Sequence, residues 1–328
     1  MNGKRITLFG GEMVRVLAGF IFFIAIGALL LSALGRYWAP FDILTHFSGH
    51  LFGIAAVAAL AMFIPRFALG ILIVGVLAVP LAHAGMSNLV YSKEAERENS
   101  TALRIKLVSL NIWSGHSDLE RIGRFLENQE ADIVVLVEYS AKTRALLPRL
   151  KPVYPYQYHC EKGCRIALLS KKKAIRTGAQ PRTHSKPRLV WATYAYGTER
   201  ITVVGTHLRK PIDSPARKAR EIDWLANWLR GIPGPIVLAG DLNSTPWSYN
   251  FRKLVSEARL HRASGIYPTW PASFILPPQL AIDHVLASDG VTINRLRIGE
   301  RVSSDHLPVL AELSLTGRRS AHLGRVAQ

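Results

Sequence analysis

At 328 residues the chain is long for one soluble domain, and its 49 % hydrophobic residues are unevenly spread, so a membrane part separates from a globular part near residue 95. The formal net charge of +18 is not gathered into a recognisable nucleic-acid module. Two cysteines with no second Cys or His pair at the right spacing exclude a zinc finger.

Three apolar stretches open the chain, at about 13–34, 44–64 and 67–90. Each approaches the roughly twenty residues a helix needs to cross a bilayer. A cleavable signal peptide is the competing reading of the first, but its apolar core is only about 7–15 residues long, and here two similar stretches follow. Lys4 and Arg5 precede the first stretch and Arg15 lies at its start, Arg36 and Arg66 separate the later ones, and this asymmetry favours a cytoplasmic N-terminus. Three crossings then place everything after residue 95 outside the cytoplasm. The short Pro65-Arg66 break leaves a re-entrant hairpin open as an alternative. Residues 1–91 are expected to form a three-helix transmembrane region, and the charged stretch 92–101 a linker.

From residue 102 strands and helices alternate. Strands are predicted at 104–110 and 132–137, near 166–169, at 189–195, 200–206 and 235–239, and near 282–286, 291–298 and 308–314. Helices are predicted from about 118, from about 141, and over 215–230. Ser117 and Glu120 stand at capping-box spacing, and Ser214 is followed by Pro215 at a first helical position. Mixed strand and helix order with adjacent hairpins implies sheets with helices outside them, not a purely parallel sheet, and no phosphate-binding glycine motif follows a strand. The domain is read as 102–315, and 316–328, with Arg318, Arg319 and Arg325, as a short basic tail.

Residues 101–328 hold 34 Lys+Arg against 18 Asp+Glu, an excess of 16. That suits a phosphorylated or polyanionic partner, an anionic membrane surface, or both; solubility and attraction to a tethering membrane are the plainer reading. Cys160 and Cys164 fit a small disulfide loop in an oxidising compartment, although a reduced pair or half of a metal site has the same spacing.

Six polar clusters sit at or just after buried-strand runs: Asn111, Glu138, His207, Asp241 with Asn243, Asp283-His284, and Asp305-His306. Carboxylates, amides and imidazoles at several strand ends can converge on one point, the usual construction of a hydrolytic metal site. Singly, each has an ordinary explanation as a cap, an Asx-turn or a buried imidazole. Six in this order do not.

Ser109-Leu110-Asn111, Val137-Glu138, Thr206-His207-Leu208, Gly240-Asp241-Leu242-Asn243-Ser244, Ile282-Asp283-His284 and Ser304-Asp305-His306-Leu307-Pro308-Val309 together resemble the ordered motifs of the endonuclease/exonuclease/phosphatase superfamily. The resemblance covers about 102–315. It implies a four-layer α/β sandwich, two mixed β-sheets face to face with helices outside, and an active site at one end. The apolar N-terminus further resembles a membrane-anchored bacterial subgroup.

A phosphate ester resists water because its oxygens repel the nucleophile and its leaving group is charged; a hard cation addresses both. Oxygen ligands suit Mg²⁺ or Mn²⁺. The expected metal ligands are Glu138, with Asn111 beside it and Asp305 contributing, which are also positions that the resemblance assigns. Asp241 is suited to orient or deprotonate water. Asn243, two residues on along extended backbone, points the same way. Asp283 and His306 form a natural carboxylate–imidazole pair, and His207 is a second imidazole donor to phosphoryl oxygens. The resemblance also bears on branch: abasic-site endonucleases lack a histidine at the position of His207 and carry an acidic residue where Trp113 stands, so DNA repair is disfavoured. No acidic partner for His207 is apparent.

Substrate signals are weaker. Trp270 precedes an apolar loop, Ser273 to Pro278, which either dips into lipid or an acyl chain at the site mouth or covers a core edge. Arg209 and Lys210 are positioned to bind a second phosphate, or are simply solvated. The leading expectation is a membrane-anchored phosphoesterase acting outside the cytoplasm on a phosphorylated lipid or an envelope phosphodiester. An extracytoplasmic nuclease is the alternative, and a non-catalytic envelope binding protein the third reading.

Overall fold

A computed structural model describes residues 2–62, 103–113, 115, 118–160, 163–273 and 279–315. The chain divides into two compact units. In the N-terminal unit, α1 (Asn2–Ser32) runs into a 3-10 turn at Ala33–Arg36. Among the described residues, Glu12–Arg36 is the one unbroken helix long and apolar enough to cross a membrane. Leu17, Phe20, Phe23 and Leu30 on it are exposed, while small residues, Ala18 and Ala25 on α1 and Ala55, Ala58 and Ala59 on α3 (Ser48–Met62), are buried.

The expected second span is broken. Residues 42–45 form the short helix α2 (Asp42–Thr45), and the stretch Ala39–Thr45 meets α3 at 61°, so the two together make at most one bent span or a re-entrant loop. Thr45 Oγ1 donates to the Asp42 carbonyl at 2.5 Å and Ser48 Oγ to the Thr45 carbonyl at 2.8 Å. At the break His46 N and Phe47 N donate to the carbonyls three residues back, Ile43 and Leu44, so the α-helical pattern gives way to a tighter turn. The described residues therefore carry one candidate span, or two with the bent pair, in place of the three expected. The stretch 67–90, the linker 92–101 and the tail 316–328 lie outside the described residues, as does the apolar loop from Phe274 to Pro278.

In the second unit the elements run β1 (Leu103–Asn111), α4 (Leu119–Asn128), β2 (Ile133–Val137), α5 (Leu146–Leu150), β3 (Tyr156–His159), β4 (Ile166–Ser170), β5 (Arg176–Gln180), β6 (Arg188–Tyr196) and β7 (Glu199–His207). There follow α6 (Pro215–Arg230), β8 (Ile236–Asp241), α7 (Tyr249–Glu257), β9 (Leu260–Arg262), β10 (Asp283–Ser288), β11 (Val291–Ile298) and β12 (Val309–Leu315). Two mixed sheets of six strands each result, in the orders β11-β12-β1-β2-β4-β3 and β5-β6-β7-β8-β10-β9.

Three buried clusters separate four layers. Ile133, Val135 and Val137 of β2 face Val203 of β7 and Val237 and Ala239 of β8 in the core between the sheets. Val134 and Leu136 point the other way, onto Ile122, Phe125 and Leu126 of α4 and the leucines of α5. On the second sheet Val204, Leu238 and Leu286 pack outward against Ile222, Leu225 and Leu229 of α6 and Phe251 and Leu254 of α7. Period-two alternation with both faces apolar is what a sheet covered on both sides requires. The sheets approach closely at Gly205, where a Cβ would meet Val135 Cγ1 at 2.8 Å.

Several boundaries differ from expectation. Helix α4 is capped by Asp118, whose side chain accepts from Arg121 N at 3.1 Å, one residue after Ser117, which lies outside the described residues. The helix expected from 141 is a 3-10 turn at Ala141–Thr143 followed by α5, kept short because Pro148 removes a donor. Pro215 does open α6 behind Ser214. Strands β3, β5 and β9 and helix α7 were not anticipated: the strands have only three to five residues, too few for a readable period. A disulfide joins Cys160 and Cys164, the first of the readings their spacing allowed.

His284 gives the fold a pH dependence. It lies outward of the site, with Nε2 at 2.8 Å from the Ser244 carbonyl and its ring against Phe251. Burial lowers its pKa from 6.5 to about 4, against the hydrogen bond to Ser244. The folded state thus binds fewer protons than the unfolded one, so this contribution is complete above pH 6.5 and lost as pH falls from there toward 4. A loss of about 3 kcal/mol across that window is expected, and His284→Gln should remove most of it in pH-dependent urea unfolding.

Candidate active site

The strand register builds the site. His207 pairs with Arg188 on one side and Asp241 on the other, and Asp241 pairs with Asp283. Four neighbouring strands of one sheet therefore place Arg188, His207, Asp241 and Asp283 in a single row. Each lies two residues beyond an inward core position: Val190, Gly205, Ala239 and Val285. Alternation turns all four toward the gap between the sheets. Opposite them, β1 ends at Asn111, which pairs with Val137, and Glu138 follows. β12 is antiparallel to β1, with Ser109 opposite Val309, so the preceding Asp305-His306 returns to the same end. β4 pairs Ile166 with Val137, which sets Arg165 beside Glu138.

The backbone is bent to achieve this. Trp113, Glu138, Arg165, Asn243 and Ser303 all have positive φ although none is glycine. Left-handed backbone at non-glycine residues costs roughly 1 kcal/mol or more each, and its clustering here is the usual mark of a site held by its surroundings. Gly240, just before Asp241, has φ +137°, and a Cβ there would stand 2.0 Å from the Thr206 carbonyl. Only glycine lets β8 approach β7 at that point.

Asp283 Oδ2 accepts from His306 Nδ1 at 2.7 Å, leaving Nε2 directed at Asn111 Nδ2 (3.5 Å) and Asp241 Oδ2 (4.0 Å). Burial opposes charge on His306, but Asp283, then Asp241 and Asp305, outweigh it and lift its pKa to about 9. Asp241 is raised too, by burial first and then by Asp283. A carboxylate so placed takes up a proton at higher pH than a free aspartate does. Asn111 Nδ2 donates to Asp241 Oδ2 at 3.2 Å and Glu138 Oε1 at 3.4 Å, joining the two sheets. Ser304 Oγ donates to the Asn111 carbonyl at 2.6 Å and accepts from His306 N at 3.1 Å, tying the histidine loop to β1.

His207 Nε2 lies 3.6 Å from Asp241 Oδ2, and its buried Nδ1 has no hydrogen-bond partner among the described residues. Burial, with Arg182 and Arg188 next, holds its pKa well below the usual value, so it stands neutral. Asn243 departs from the extended backbone expected of it. Its φ is +46°, its N–H donates to Asp241 Oδ1 at 2.8 Å, and its amide donates to the Leu208 carbonyl and Asp241 Oδ2. It braces Asp241.

Residues 108–306 match the Endonuclease/Exonuclease/phosphatase family, more than half of the chain. The chain belongs to that family. Members are phosphoesterase and nuclease hydrolases that depend on divalent metal. Among solved structures, an endonuclease/exonuclease/phosphatase from Beutenbergia cavernae DSM 12333 is 21 % identical with a TM-score of 0.56, covering 65 % of this chain and 72 % of its own. D. rerio TDP2 complexed with a single-strand DNA product is 15 % identical with a TM-score of 0.54, covering 64 % and 98 %. Sphingomyelinase C from Streptomyces griseocarneus is 19 % identical with a TM-score of 0.50, covering 64 % and 99 %. At these identities the likeness is one of fold. No curated protein matches.

The donor atoms suit the family's hard cation. Glu138 and Asp241 offer carboxylate oxygens within 3.4 Å of the Asn111 amide nitrogen, Asn111 Oδ1, the atom a cation would take, accepts instead from Trp113 N at 3.0 Å, and Asp305 Oδ1 is buried without a partner among the described residues. Asp305 departs from the expected trio in one respect, since its other oxygen accepts from Trp270 Nε1 at 3.2 Å. The one group of three acidic or histidine ligand atoms lying mutually within 4.8 Å, among the described residues, is Asp241, Asp283 and His306. Its 2.7 Å Asp283–His306 contact is a hydrogen bond.

Sequence reasoning missed the residues beneath the site. Lys218 on α6 is fully buried and donates to the carbonyls of Arg209, Leu242 and Asn243 at 3.0, 2.8 and 2.6 Å. Glu221, also fully buried, pairs with Arg182 (3.2 Å) and Arg209 (2.9 Å). Arg209 is thus tied inward and is not a loose phosphate ligand. The signal was there: Lys218 and Glu221 share the helical stripe of Ile222, Leu225 and Leu229.

Proposed function

We propose that this chain is a membrane-anchored, divalent-metal-dependent phosphoesterase that hydrolyses a phosphorylated lipid or envelope phosphodiester on the extracytoplasmic side. The observation that carries the reading is the convergence of the Asp283–His306 pair, Asp241, His207, Asn111 and Glu138 at one end of the two sheets. In this reading Glu138, Asn111 and Asp305 hold Mg²⁺ or Mn²⁺, which when bound neutralises phosphoryl charge. Asp241, braced by Asn243, orients the attacking water and takes its proton. His306, held in orientation by Asp283, and neutral His207 donate to the phosphoryl oxygens as charge builds. The apolar helix Glu12–Arg36 supports the anchor, and the Cys160–Cys164 disulfide supports an oxidising compartment. Tethering raises the local concentration of lipid headgroups at the site.

A nuclease is the second reading, favoured by the excess of 16 positive charges in residues 101–328. The test is a panel of isoprenyl phosphates, phospholipids, sphingomyelin and single- and double-stranded DNA, assayed with full-length protein in detergent. Lipid turnover should require Mg²⁺ or Mn²⁺ and stop with EDTA. Glu138→Ala should lower it at least about 100-fold. Preferential DNA cleavage that weakens steeply with salt would replace the lipid reading with the nuclease.

A further inference from the structure

One member of the inward row has no role in the chemistry above. Arg188 stands in direct register with His207, at the same height as Asp241 and Asp283. Its Nε is buried with no hydrogen-bond partner among the described residues, although the side chain as a whole is only partly buried. The other cations nearby are engaged: Arg182 and Arg209 share Glu221 at 3.2 and 2.9 Å, and Arg165 lies 3.6 Å from Glu138. Arg188 makes no ion pair among the described residues. Burial first, then Arg182 and Arg165, push its pKa down to about 10. Glu138 and Glu221 act on it more weakly than these.

The two ends of the site differ accordingly. Where β8 and β10 face β1 and β12, the side chains are Asp241, Asp283, His306 and Asn111. Where β6 faces β4, they are Arg188 and Arg165. β6 is two strands from β8, so with strands about 4.8 Å apart the arginine end begins about 10 Å from Asp241, and flexible arginine side chains shorten that gap. A guanidinium fork is suited to bind two phosphate oxygens at once.

We propose that Arg188 forms a subsite for a second phosphate, so that the preferred substrate is a lipid headgroup carrying another phosphate beside the scissile one. The inference rests on the phosphoesterase reading for its reaction and on the strand register for its place. It explains why a row otherwise made of catalytic side chains ends in an unpaired cation.

The test has two independent readouts on full-length protein in detergent. Hydrolysis of farnesyl diphosphate and farnesyl monophosphate gives a ratio of kcat/KM values, compared between native protein and R188Q. Pyrophosphate binding is titrated by calorimetry in EDTA, where neither turnover nor metal contributes. In R188Q the ratio is expected to fall, and the pyrophosphate Kd to rise, each at least about tenfold. R188K, which keeps the charge without the fork, should recover part of the affinity and so separates the effect from misfolding. If neither ester is hydrolysed but R188Q still weakens pyrophosphate binding, isoprenyl phosphates are excluded as substrates and the subsite stands. If both esters are hydrolysed with an unchanged ratio and Kd, the subsite is overturned and the phosphoesterase reading stands.

Discussion

Replacing His306 by Ala should lower kcat about 10²–10⁴-fold, Asp283→Ala should do nearly the same, and the double variant should be little worse than the more damaged single one. The reason is the 2.7 Å contact between them. Without Asp283 the imidazole loses the carboxylate that fixes its orientation and supports its charge, so the ring remains but no longer points a proton at the phosphoryl group. Without His306, Asp283 has nothing to orient, and a buried carboxylate is left unpaired. Single-turnover rates in the four proteins measure this. Multiplicative losses would mean that the two residues act separately, and the pair would have to be abandoned as a unit.

The second large effect is on stability. Lys218→Met should destabilise the catalytic unit by about 3–5 kcal/mol, although the side chains are similar in volume. The ammonium is fully buried and donates to the carbonyls of Arg209, Leu242 and Asn243. Methionine fills the space but leaves three acceptors without that donor in a medium with no water to replace it. Because two of those carbonyls flank the Asp241 brace, activity should fall in the protein that remains folded. Chemical denaturation, with kcat normalised to the folded fraction, separates the two effects. A stability change under 1 kcal/mol would show that the carbonyls find other donors.

Much of the sheet region was legible in the chain because its strands are covered on both faces. Runs such as Ile133–Val137 read as strands from composition alone, and α6 was bounded by Ser214-Pro215 and its apolar stripe. The short edge strands β3 and β5 were not legible, since four or five half-exposed residues carry no period. The second apolar run departed from expectation for another reason. A hydropathy run reports transfer free energy, not continuity, and the second run bends by 61° where the backbone tightens at His46 and Phe47.

The site shows the same division. That Asn111, Glu138, His207, Asp241, Asp283 and His306 stand at or near strand ends is a local fact, written in the order of the residues, and it placed the chain in its family. Which of them share a face is also local, because side chains alternate along a strand. Strand neighbours are not local. The register that sets Arg188 beside His207, and the packing that places Lys218 and Glu221 under Asn243 and Arg209, depend on which strands pair and which helix covers them. Those choices rest on contacts between residues far apart in the chain, where no spacing rule connects an arginine at 188 with a carboxylate at 241. The chain order alone therefore determined the chemistry, and the folded arrangement decided its partners, its bracing and the cation left over at its edge.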